Sequence, residues 1–226
     1  HHYDMLVASP GISLEIEPFR QAFMYNIPVI GEVELAYQIK SPLLTVLAVT
    51  GTNGKTTTTA LLEHILQSDG RRATAGGNIG TPLTHLVEDM SEGVIVVEMS
   101  SFQLETIREF HPRVSGMLNI TPDHLDRHKN MQAYTAAKAR IFENQDSTDH
   151  ALFNYDDEVV RELAATCPAQ VWFFSQEQRL NQGVFLCDGE IMVAHEGMVF
   201  PICKQDEVLL RGRHNMENIL CATGMA

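Results

Sequence analysis

Leu43-Leu44-Thr45-Val46-Leu47-Ala48-Val49-Thr50-Gly51-Thr52-Asn53-Gly54-Lys55-Thr56-Thr57 is the stretch that decides the fold. Its apolar part, residues 43–49, reads as a buried strand, and the helical pattern of residues 57–67 begins directly after the two glycines. A strand that turns sharply into a helix start is built to hold phosphate. Glycines let the backbone close around phosphate oxygens and the helix offers unpaired N–H groups; a lysine reaches the β and γ phosphates, and a threonine hydroxyl can ligate Mg²⁺. Gly51, Thr52, Asn53, Gly54, Lys55, Thr56 and Thr57 are therefore the candidate nucleotide-binding residues, with Thr56 a candidate metal ligand. The strict G-x-x-x-x-G-K-[ST] pattern would place glycine at position 49, where this chain has valine. The bland reading is a glycine-bearing turn, and the Lys55-Thr56 pair at the helix start argues against it.

Outward from this loop the same rhythm repeats. Residues 94–97 precede a helix predicted over 104–109, and residues 114–120 precede one predicted over 131–143. Residues 151–154, 158–165 and 171–174 add a strand, a helix and a strand. This alternation predicts an α/β fold, a mostly parallel sheet flanked by helices. After Ser175, short apolar runs at 184–186, 191–193 and 198–200 are separated by Asp188-Gly189 and Glu196-Gly197, which predicts a small antiparallel β meander. A last helix is expected from about His214-Asn215. Residues 1–40 read as the C-terminal part of a preceding domain and residues 41–226 as a central ATP-binding domain, open at its C-terminal end, with the boundary at Ser41-Pro42.

Composition narrows the function classes. A net charge of −13 without a local Lys/Arg cluster excludes a nucleic-acid backbone as the expected partner. No apolar run approaches the ~20 residues that span a bilayer, so membrane insertion is not expected. Cys167, Cys187, Cys203 and Cys221 form no C-x-x-C pair, which suggests neither zinc nor a disulfide framework and fits a cytoplasmic protein. The start at His1-His2, without an initiator Met or signal peptide, and the apolar end at residues 222–226 read as cut ends.

Further candidates follow from the strand ends. Glu98 closes the apolar run Val94-Ile95-Val96-Val97, where a parallel sheet presents ligands, and its carboxylate suits a phosphate-bridging Mg²⁺. Asn119-Ile120-Thr121-Pro122-Asp123-His124-Leu125-Asp126-Arg127-His128 should emerge at the same edge. His124 is its candidate, for metal or for substrate; Asp126, Arg127 and His128 read as a solvated loop with local ion pairs. Lys138 lies on the helix of residues 131–143 and by spacing alone reads as a solvated cation, since an ammonium is a poor neighbour for Mg²⁺.

Ser9-Pro10-Gly11-Ile12, the Thr50-Gly51-Thr52-Asn53-Gly54-Lys55-Thr56 loop, Gly76-Gly77-Asn78-Ile79-Gly80, Glu98-Met99-Ser100-Ser101-Phe102-Gln103-Leu104-Glu105, the Thr121-Pro122-Asp123-His124-Leu125-Asp126-Arg127 segment and His214-Asn215 with Asn218 together resemble the Mur ligase family, over nearly the whole chain. The Gly-Gly-Asn-Ile-Gly and Ser-Ser-Phe-Gln-Leu-Glu segments look most like the branch that joins D-glutamate to UDP-N-acetylmuramoyl-L-alanine with ATP and Mg²⁺ in peptidoglycan synthesis. The resemblance implies a monomer with a UDP-binding N-terminal domain, a central ATPase domain and a C-terminal domain for the incoming amino acid. It also implies that Lys138 is a carbamylated magnesium ligand, that Glu98 and His124 ligate metal, and that Asn78, Ser100 and His124 face substrate. By the same likeness, Ser9, Pro10 and Gly11 face the UDP-sugar and Asn218 the nucleotide base. Another Mur-type or a folylpolyglutamate synthase-like ligase, or an ATP-binding module without ligase activity, are the competing expectations; a substrate panel separates the ligases, and nucleotide binding without metal-dependent turnover would favour the module.

Overall fold

The computed structural model of the chain describes residues 3–226. In chain order the elements are β1 (Leu6–Ala8), α1 (Glu17–Met24), β2 (Val29–Gly31), α2 (Glu32–Ile39), β3 (Leu44–Thr50), α3 (Lys55–Ser68), β4 (Ala73–Gly77), α4 (Leu83–Asp89), β5 (Gly93–Glu98), α5 (Ser101–Leu104) and β6 (Val114–Met117). They continue with α6 (Leu125–His128), α7 (Met131–Ala139), β7 (His150–Asn154), α8 (Glu158–Ala164), β8 (Gln170–Ser175), β9 (Gly183–Cys187), β10 (Glu190–His195), β11 (Met198–Lys204) and α9 (Arg213–Met225).

Among the described residues, nine strands form one sheet in the order β11-β10-β9-β8-β7-β6-β3-β5-β4. From β4 through β9 the pairings are parallel, and β9, β10 and β11 pair antiparallel. The expected meander is thus present as the far end of the same sheet. Its turns carry positive φ at both central residues, Asp188 (51°) with Gly189 (77°) and Glu196 (51°) with Gly197 (78°), the handedness that matches strand twist in a two-residue hairpin. The parallel step from β8 to β9 uses residues 176–182 alone, because Gly183 pairs with Phe173 and the chain need travel back only slightly.

β3 and β5 are apolar along both faces because both faces are covered. On one face α3 and α9 bury Leu62, Leu66, Ile219 and Leu220 against Val49, Val96, Leu152 and Phe174. On the other, residues of α2, α4, α7 and α8 meet Val46, Ile95, Val97 and Phe153. Val33 and Ala36 of α2 lie inside this second core, whereas Ala8, Phe19, Ala22 and Val29 form a separate small cluster around the paired β1 and β2.

β4 and α4 were not read from the sequence, and two of the predicted helices differ from their expected form. The helix predicted over 104–109 is instead α5, which starts at Ser101 because Ser100 and Gln103 form a reciprocal capping box. It cannot run on, since the N–H groups of Arg108, Glu109 and Phe110 donate to the Glu34 carboxylate and not to carbonyls of a preceding turn. The helix predicted over 131–143 is α-helical to Ala139 and tightens to a 3₁₀ turn at Arg140–Phe142.

β3 is flanked by β5 on one side and β6 on the other, so the chain reverses its direction of travel across the sheet at β3. Such a switch point opens a crevice at the C-terminal strand ends, where α/β sheets bind ligands.

Candidate active site

The crevice is lined by the loop of residues 51–54. Gly54 caps α3 in the left-handed conformation, φ 85°, and a Cβ there would stand 2.1 Å from Asn218 Oδ1. Glycine is required by both conformation and space. The loop is fastened to the residues after β6: Asn119 O accepts from Thr52 N, Asn119 Oδ1 accepts from Asn53 N, and Asn119 Nδ2 donates to Asn53 O. Thr52 Oγ1 accepts from Thr121 N and lies 3.2 Å from Tyr134 OH. Lys55 folds back over the loop, its ammonium donating to the carbonyls of Gly51 and Thr52 at 3.0 and 2.7 Å. Burial lowers its pKa, opposed by Glu98 and Asp123.

Glu98, at the end of β5, is buried and accepts from Thr56 Oγ1 and from Asn78 Nδ2, both at 2.8 Å. Asn78 is delivered by the end of β4, where Gly77 adopts φ 102° and a Cβ would stand 2.7 Å from Glu98 O. Thr56 and Glu98 thus bring hydroxyl and carboxylate oxygens together beside the phosphate loop. This hard-oxygen pair fits Mg²⁺, which takes one or two protein carboxylates and completes its shell with phosphates and water. No group of three or more His, Cys, Asp or Glu residues suited to a metal ion occurs among the described residues.

Lys138 corrects the reading from spacing. It is 2% exposed, its Nζ donates to Gly51 O at 2.7 Å and lies 4.8 Å from the Tyr134 ring centroid. Burial, and then the neighbouring Lys55 charge, pull its pKa down to about 7 against the pull of Asp123. His124 lies at the same sheet edge in the left-handed region, φ 50°, half exposed, with contacts to Asp123 (3.5 Å) and the Phe102 ring (5.1 Å). The structure therefore joins Thr56, Glu98 and Asn78 in one hydrogen-bonded chain and sets Lys55 and Lys138 on the Gly51 carbonyl of the adjoining loop, with His124 exposed beside Asp123.

Asn218, on α9, lines a cleft of about 640 Å³ together with Gly54, Thr57, Asn119, Asn154 and Asp157. Ser100 spends its hydroxyl on the α5 cap. Ser9, Pro10 and Gly11 follow β1 and face Phe102, Gln103 and Arg127 across a narrow gap. Tyr134 was not singled out from the sequence, and Arg127 and His128 were read there as solvated. Tyr134 is buried between Thr52 and Lys138, and its place four residues before Lys138 on one helix was the available signal. Arg127 and His128, expected in a solvated loop, are also drawn inward: Arg127 binds Gly11 O and Ile12 O, and His128 bonds Ser101 Oγ and Glu105. Burial lowers the His128 pKa, with Glu105 opposing.

The sequence matches the Mur ligase middle domain family over residues 49–226. It is 48% identical over 225 residues to the UDP-N-acetylmuramoylalanine–D-glutamate ligase of Pelotomaculum thermopropionicum, covering 99% of this chain and 49% of that protein. The protein of the same name from Clostridioides difficile is 44% identical over 225 residues, with 99% and 49% covered. The chain spans about half the length of the curated relatives it matches. Among solved structures, a UDP-N-acetylmuramoyl-L-alanyl-D-glutamate–2,6-diaminopimelate ligase superposes with TM-score 0.67 at 22% identity, covering 96% of this chain and 55% of that one. A MurF ligase from Thermotoga maritima in complex with ADP gives TM-score 0.60 at 17% identity, with 97% and 59% covered. No helix among the described residues is long and apolar enough to cross a membrane.

Proposed function

Because the chain belongs to the Mur ligase family, we propose that it is the central part of an ATP-dependent ligase that joins D-glutamate to UDP-N-acetylmuramoyl-L-alanine through an acyl phosphate. The observation that carries this reading is the Thr56–Glu98–Asn78 hydrogen-bonded chain set beside a phosphate loop and a buried lysine. The naming of the relatives selects the substrates, and the ADP of the Thermotoga maritima neighbour supports the nucleotide. On this reading residues 1–40 end a UDP-substrate-binding domain and residues 41–226 belong to the ATP-binding one, with α2 packed into the core of the second.

The adenosine end of ATP occupies the cleft beside Asn218, and the phosphates lie on the loop N–H groups at the start of α3. Lys55 exchanges its loop carbonyl partners for phosphate oxygens, so its charge is set against the charge developing on the transferred group. Mg²⁺, when bound, would neutralise phosphate charge and help align the γ-phosphate. Thr56 and Glu98 would hold it, and Lys138 would join them once its neutral amine takes up CO₂, releasing a proton and becoming an anionic carbamate. His124 would swing from Asp123 toward metal or substrate. Asn78 orients the Glu98 carboxylate; Ser9, Pro10 and Gly11 would face the UDP-substrate, and Ser100 would meet it on releasing its bond to Gln103. The substrate carboxylate then attacks the γ-phosphate and ADP leaves. The amine of D-glutamate attacks the acyl phosphate, and phosphate is expelled from the tetrahedral intermediate.

The test is made on the complete enzyme. Lys55→Ala should abolish turnover, and Lys138→Ala should lose activity and regain part of it when acetate is supplied to refill the anionic position. Full activity of Lys138→Ala without additive would overturn the carbamate role.

A further inference from the structure

We propose that Arg127 is the positioning residue that sets the substrate loop, residues 9–12, against the phosphate site. The guanidinium forks onto two backbone carbonyls of that loop, Nη1 to Gly11 O at 2.9 Å and Nη2 to Ile12 O at 3.2 Å. The same Nη2 pairs with Glu105 Oε2 at 3.2 Å, and the guanidinium carbon lies 5.0 Å from the Phe102 ring centroid. The loop has little hold of its own, with one turn bond from Ile12 N to Ser9 O and a left-handed Gly11 at φ 81°. A planar fork with fixed N–H directions is suited to defining where two neighbouring carbonyls sit.

The fork is anchored inward. Glu105 holds His128 Nδ1 with its other oxygen at 3.3 Å, and His128 Nε2 pairs with Ser101 Oγ at 2.9 Å. The His128 ring stacks on Phe102, 5° from parallel, and packs 5.1 Å from Tyr134, whose hydroxyl meets Thr52 of the phosphate loop. An unbroken set of packed groups therefore runs from the loop facing the UDP-sugar to the helix that carries Lys138. A second tie across the same junction, Lys129 to Glu15 at 3.7 Å, is exposed on both sides and serves as the natural control, since such pairs contribute little.

The inference rests on the ligase reading above, and a binding measurement separates the two. Titration of UDP-N-acetylmuramoyl-L-alanine into the complete protein without ATP should show Arg127→Ala weakened about tenfold or more, the scale of losing charge-assisted bonds that place the loop. Guanidinium chloride in the tens of millimolar range should recover part of the loss, and Lys129→Ala should bind like the parent. In turnover assays KM for the UDP-substrate should rise while KM for ATP stays within about twofold. Arg127→Lys should fall between, because an ammonium cannot fork, and it decides the matter if the alanine variant does not fold. Parental affinity in Arg127→Ala or Arg127→Lys, or a joint rise of both KM values without response to guanidinium, would overturn the proposal. A parent protein that binds the UDP-substrate but does not ligate would instead overturn the ligase reading; one that does not bind it overturns both.

Discussion

Lys138 is a base with a pKa near 7 in a site 2% exposed, far below the ordinary 10.5. A lysine whose folded value is depressed costs stability in full below about pH 7, where it is charged in both states, and the cost fades as pH rises toward the ordinary value. Stability of the parent should therefore increase between about pH 7 and pH 10 by more than in Lys138→Met, and the variant should be the more stable of the two at pH 7. Chemical denaturation of both at several pH values reads this directly; a parallel pH dependence would refute the buried-cation account. At this scale the sequence was most informative where chemistry is local: Lys55, Thr56 and Glu98 fall where strand ends predict. Lys138, Arg127 and His128 were not legible from spacing, because their partners are distant in sequence: Gly51 of the phosphate loop for Lys138, residues 11 and 12 for Arg127, and Ser101 of α5 for His128.

The β3-to-α3 connection is the element on which the account turns. Gly54 stands in the left-handed region against Asn218 Oδ1, so Gly54→Ala should both strain the turn and push α9 from the loop. We expect about 1–3 kcal/mol of destabilisation and loss of nucleotide binding measured by titration with a non-hydrolysable ATP analogue. Unchanged binding would show that the loop does not use this contact. The parallel strands were readable from their apolar runs because both faces are covered. β4, sequence Ala-Thr-Ala-Gly-Gly, was not, since it lies at the sheet edge and lacks the bulky β-branched pattern, although its end delivers Asn78. The misplaced helix at 104–109 has a non-local origin: a carboxylate 74–76 residues earlier takes the N–H groups of Arg108, Glu109 and Phe110.

That carboxylate, Glu34, ties the molecule together. Fully buried on α2, it accepts from the N–H groups of Arg108, Glu109 and Phe110 and from Gln38 Nε2, and so fixes the start of the second core to the turn below α5. Glu34→Leu would strand those donors and should lower stability by about 3 kcal/mol, seen as a reduced denaturation midpoint with unchanged slope; a shift within error would contradict this accounting. Through Glu34, α2 and the segment after α5 share one framework, the kind of fixed geometry that the proposed activation of a carboxylate by ATP would need. The central claim, transfer of a phosphoryl group from ATP to the substrate carboxylate, is tested most directly by isotope transfer. UDP-N-acetylmuramoyl-L-alanine labelled with ¹⁸O in its carboxylate should, with ATP and D-glutamate on the complete enzyme, deliver one labelled oxygen to each inorganic phosphate released. Unlabelled phosphate from a reaction that forms the amide would contradict the acyl-phosphate account.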